Sequence, residues 1–149
     1  MNKARKNRSR ICLYEISYNG DQQDQAELIK VGYACALIIS IGKIGGSQED
    51  NDNEIKDGLK YISDFLRNLR QGRYYDITFH QQPALIKTCV EQIEEEGGNE
   101  EVDSQIENKQ VLEYGDQYLK YYANWTIGEI LNFFIDKNNP RPNWYFYEF

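Results

Sequence analysis

The clearest hydrophobic rhythm in the chain runs through Ile55, Leu59, Ile62, Leu66 and Leu69. Steps of three and four place all five on one face of an amphipathic helix. Lys56, Lys60, Arg67 and Arg70 fall on its other faces, and Gly72 ends it. A second helix is predicted over 84–95, opened by Pro83 and facing inward with Leu85, Ile86, Cys89, Val90 and Ile93.

Elsewhere the pattern changes. Residues 10–18 alternate and are rich in Ile, Leu and Tyr, which predicts a strand ending in the turn Asn19-Gly20-Asp21. Asp21 or Asp24 can cap the element that follows. That element, 25–44, is apolar almost all round, so a buried helix is expected, with a pair of buried strands as the alternative. Residues 73–80 read as a short strand, with Tyr75, Ile77 and Phe79 alternating against Tyr74, Asp76 and Thr78. Residues 111–114 and 117–122 flank Gly115-Asp116, which suits a type II′ hairpin, with a continuous helix competing. Thr126 and Glu129 have the spacing of a capping box, and a last helix is predicted from there to about Lys137.

Together these elements predict an α+β fold, with about four helices on a small, mostly antiparallel sheet and a mainly α-helical arrangement as the alternative. One globular domain is expected over 11–149, preceded by a basic arm at 1–10. It carries an acidic loop at 94–108 and an aromatic tail at 140–149. No internal repeat is visible.

Composition narrows the function classes. Apolar residues make up 40% of the chain and aromatics 13%, too much for a disordered polymer. Cys12, Cys35 and Cys89 are odd in number and far apart, so neither a disulfide framework nor a zinc site is expected. Free thiols in a reducing compartment such as the cytoplasm fit this usage. The basic start has no apolar run of the secretory kind behind it, and the apolar stretch 31–42 is too short for a membrane span.

The net charge of -7 is unevenly placed. Lys3, Arg5, Lys6, Arg8 and Arg10 form a basic cluster, the arrangement that touches phosphates. The charged residues of 91–107 are all acids, among them Glu94, Glu95, Glu96, Glu100, Glu101 and Asp103. Such a surface steers toward a basic partner. Trp144, Tyr145, Phe146, Tyr147 and Phe149 crowd the last residues and can anchor in a partner.

Catalytic motifs are sparse. His80 is the one histidine, and the cysteines sit in apolar stretches that disfavour the thiolate. Phosphate-loop and dinucleotide spacings are absent. Residues 50–54 begin like a calcium loop, but Ile55 and Tyr61 stand where its glycine and final glutamate belong. No cofactor or metal is called for. The expected function is that of a small, acidic, non-catalytic interaction module: an inhibitor or immunity-type protein, an adaptor, or a subunit that binds a basic protein. A nucleic-acid-associated protein using residues 3–10 is the alternative, with Arg67, Arg70 and Arg73 as possible additions to its basic patch. A carboxylate–metal enzyme built on Asp52, Asp76 or Glu113 is the third reading.

Overall fold

The helix carrying the Ile55–Leu69 stripe lies at the centre of the structure, a computed structural model that describes residues 3–42, 49–107 and 114–131. Helices follow one another as α1 (Lys3–Asn19), α2 (Gln22–Lys30), α3 (Tyr33–Gly42), α4 (Glu49–Gln71), α5 (Pro83–Glu95), α6 (Gly98–Glu107) and α7 (Tyr114–Leu131). Ile55, Leu59, Ile62, Leu66 and Leu69 are all buried, joined by Phe65 one position off the stripe. Around α4 pack α1, α3, α5 and α7. Phe65 meets Tyr33 of α3 edge-on, with centroids 5.2 Å apart.

Among the described residues there is no sheet, so the expected α+β class is corrected to all-α. Residues 10–18 belong to α1 rather than a strand. Their apparent alternation arose because apolar residues lie on both helix faces. Leu13, Tyr14 and Ser17 turn inward, while Ile11, Ile16 and Tyr18 point to water.

The 73–80 strand is likewise absent. Two hydrogen bonds join Arg73 and Phe79 as an isolated bridge, and the residues between form a loop with Asp76 at φ +52. Only Phe79 and Arg73 are buried there.

The described part of the 25–44 segment, 25–42, is helical rather than a pair of strands, but it breaks in two. Gly32, at φ +74, ends α2 in the left-handed region and sends α3 off at 50°. The bend lets Leu28 and Ile29 on α2 and Ala34, Leu37, Ile38 and Ile41 on α3 reach one core, with Val31 and Ile39 left exposed. Among the described residues no single helix is long and apolar enough to cross a membrane. Asp21 caps α2 in a reciprocal box with Asp24, as the spacing allowed.

The expected acidic loop is largely helix. Gly97, at φ +70, turns the chain, and α6 begins at once. Val102 of α6 is fully buried, and Gly98 packs so closely that a Cβ there would lie 2.5 Å from Ile93 Cγ2 and 2.9 Å from Ile38 Cδ1. These contacts, rather than local propensity, hold a segment of like charges helical.

Residues 114–122 are part of α7, so no hairpin forms about Gly115-Asp116. Residues 111–113, and the predicted helix beyond Leu131, lie outside the described residues. Thr126 is inside α7 instead of capping it: its hydroxyl is shared between the carbonyls of Tyr122, at 2.8 Å, and Leu59 on α4, at 2.9 Å. Glu129, the other half of the expected box, is buried and receives Arg70 of α4.

Candidate functional site

The six acidic candidates converge because α5 and α6 are joined by one tight turn. Glu94 and Glu95 close α5, Glu96 caps it, and Glu100, Glu101 and Asp103 follow within the first turns of α6. All are exposed except Glu101, which is half-buried with its carboxylate against Gly42 at the end of α3. Acids suit the N-terminus of α6, where the helix dipole is positive. Glu94, Glu95 and Glu96 stand at the negative end of α5, where each is disfavoured by a few tenths of a kcal/mol, roughly. A cationic partner would relieve that penalty. Burial, then the charges of Glu96 and Glu95, push the nearby Cys35 thiol up.

The basic candidates fall on α1. Arg5 and Arg8 are exposed, and Arg10 is half-buried near Tyr61, where its charge opposes the rise that burial and Asp57 impose on that phenol. The side chains of Lys3 and Lys6 lie outside the described residues. The proposed extension of this patch does not form. Arg67 donates to Asp64 at 2.8 Å and lies over the Trp125 ring, Arg70 is held by Glu129, and Arg73 is buried. The tail residues Trp144, Tyr145, Phe146, Tyr147 and Phe149 lie outside the described residues.

A second aromatic surface was not legible in the sequence. Tyr61 of α4 stacks on Tyr14 of α1 at 4.2 Å; Tyr14 neighbours Tyr18 at 5.9 Å, and Tyr18 neighbours Tyr75 at 6.4 Å. Beside Tyr75 the same loop exposes Tyr74 at 68% and Ile77 at 49%. Burial, reinforced by the Asp64 carboxylate, pushes the Tyr14 phenol up to about 12. Asp64 is itself raised by burial, with Arg67, Lys60 and the Tyr14 hydroxyl pulling it back. The row therefore has a neutral, desolvated inner end at Tyr14 and a wet outer end at Tyr74 and Tyr75. The missed signal was Asp76 in the centre of the supposed strand, a residue that tolerates the left-handed turn found there.

For chemistry the described residues offer little concentration of reactive groups. Burial pushes the Cys89 thiol up to about 12, so it is a packing group at neutral pH. Cys12 is exposed, and His80 is exposed beyond the Arg73–Phe79 bridge. Among the described residues no three His, Cys, Asp or Glu side chains gather as a metal site. Asp76 is exposed on its loop, while the Asp52 side chain and all of Glu113 lie outside the described residues.

Comparison with protein families, with curated proteins and with solved structures finds no match in any of the three.

Proposed function

We propose that the chain is a small, non-catalytic interaction module that binds a basic partner protein. The loop 73–79 is the observation that carries this reading. It presents Tyr74, Tyr75 and Ile77 to water, with Tyr18 alongside. Tyrosines with one apolar face and one wet edge are favoured interface anchors. Two backbone hydrogen bonds, 2.8 and 2.9 Å long, close the loop. A preset loop loses less freedom when it docks. The acidic corner of α5 and α6 adds the sign of the partner, since its exposed carboxylates attract a cationic surface and repel an acidic one.

The test is tagged capture from the cells that make the protein, with and without nuclease. The native chain is compared with Tyr75→Ser/Ile77→Ser and with Glu94→Gln/Glu95→Gln/Glu96→Gln. A basic protein should survive nuclease, be lost about tenfold with the loop variant, as expected for a hot-spot anchor, and lose salt sensitivity with the acidic variant. Equal capture by all three chains overturns the reading.

A nucleic-acid role is the second reading, favoured by the exposure of Arg5 and Arg8 on a helix. Partners that vanish on nuclease treatment, and with Arg5→Ala/Arg8→Ala, would replace the first reading by this one.

A further inference from the structure

Arg73 is buried to 1% exposure, deeper than any other charged side chain described except Glu129. Its Nη2 donates to the carbonyls of Gly20, at 2.9 Å, and Ser17, at 3.2 Å, where α1 ends. Its guanidinium lies over the Phe79 ring, 4.7 Å from the centroid. Its Nε and Nη1 have no acceptor among the described residues, and no described carboxylate pairs with it. Carbonyl dipoles offset part of the burial penalty, yet they leave a full positive charge uncompensated in a low-dielectric setting.

Arg73 lines an open cleft of about 850 Å³ between the start of α2, the 73–82 segment and the start of α5. The two helix starts differ. At α2 the Asp21 side chain accepts the Asp24 N–H, so a carboxylate already occupies the positive end of that helix. At α5 the N-cap is Gln82, which makes no capping bond; its amide turns away to donate to the His80 carbonyl at 2.9 Å. Pro83 has no N–H, and the first intrahelical bond is that of Ile86 to Gln82. The N–H groups of Ala84 and Leu85 therefore have no intrahelical partner, and both residues line the cleft. Thr78, His80, Gln22 and Gln23 add further polar groups, and Tyr74 and Ala26 add apolar wall.

We propose that this cleft binds the phosphate group of a small organic phosphate. The Ala84 and Leu85 N–H groups would hold its oxygens, and the Arg73 charge would supply the field. A 13-residue helix with an uncapped N-terminus is an anion site in its own right, and a buried, unneutralised guanidinium beside it has the matching sign. The many donors around the cleft suit the several acceptor oxygens of a phosphate. Asp21 is the opposing charge in the cleft, and one of its oxygens is committed to α2. This inference shares the 73–79 loop with the protein-binding reading but uses neither the acidic corner nor Ile77, so the Tyr75→Ser/Ile77→Ser and acidic variants test that reading while Gln82→Asp tests this one.

The experiment is a titration of the full chain with inorganic phosphate and with phenyl phosphate. It is followed by backbone amide NMR against chloride at equal ionic strength. Expected is a saturable shift confined to the amides of Thr78, Ala84 and Leu85, with a Kd on the order of millimolar for the bare ion and tighter for phenyl phosphate. Arg73→Met should weaken binding about tenfold, on the order of the loss of one nearby positive charge in a partly desolvated site. Should that variant fail to fold, Gln82→Asp decides the matter. It gives α5 its own carboxylate cap, so it should raise Tm and abolish phosphate binding. Shifts that match chloride, or that spread over Arg5 and Arg8, or binding unchanged in Gln82→Asp, would overturn the proposal.

Discussion

Arg70 and Arg73 lie less than a helical turn apart in sequence, and the fold treats their charges in opposite ways. Arg70 ends α4 with its side chain 23% exposed, and both its Nε and its Nη2 meet one oxygen of the buried Glu129 on α7. Arg73, just past Gly72, goes deeper and meets the carbonyls at the end of α1 and the Phe79 ring, with no carboxylate among the described residues. A charge answered by an opposite charge closes a seam between α4 and α7. A charge answered by dipoles keeps its sign uncancelled, and Arg73 lines an open cleft. The first arrangement holds two helices together, whereas the second is the one on which the phosphate proposal rests.

The comparison can be broken at its strong end first. Arg70→Ala removes the cation that answers a fully buried carboxylate and should cost about 3–5 kcal/mol in urea unfolding. Adding Glu129→Gln to that variant should recover part of the loss, as coupled partners do in a double-mutant cycle. Purely additive losses would show that the pair contributes nothing as a pair.

At the other end, Arg73→Met gives up two carbonyl bonds but also a buried charge, so its cost should stay within about 2 kcal/mol. A loss equal to that of Arg70→Ala would mean that Arg73 is a structural cap of α1 and nothing more.

The smallest effect belongs to Asp64, which sits between Tyr14 and Arg67. Its folded pKa is raised by burial, so its contribution is fully present below the usual carboxylate range and is lost as pH rises through the raised value. The stability of the native chain relative to Asp64→Asn should therefore fall as pH is taken from about 3 to 7. A difference that grows with pH over that window would show that Arg67 outweighs burial.

How far the chain could be read without its structure varies by element. For α4 and α5 most inward residues were legible, because a single clean stripe at helical spacing admits one face; Phe65 is buried beside the stripe, and Leu85, expected inside, is half-buried at the cleft. At α1 the same method failed: Ile11, Ile16 and Tyr18 are apolar yet exposed, and apolar residues on two helix faces imitate the period of a strand. Thr126 and Glu129 have capping-box spacing but are spent on Leu59 and Arg70, residues some sixty positions away. The acidic candidates were visible as a run of like charge; that they form one corner depends on the Gly97 turn and on Gly98 packing against Ile38 and Ile93. Tyr61, Tyr14, Tyr18 and Tyr75 come from two helices and a loop, and no local spacing announces that row.

Sequence alone determined where helical faces must be buried and where charge of one sign accumulates, because both are properties of neighbours along the chain. Tertiary structure alone decided that residues 73–79 stand out as a loop instead of joining a sheet. It also decided that one arginine is neutralised while another, three residues on, is not. Burial and ion pairing are set by groups brought together from distant segments, and their energies do not exist until the core has closed.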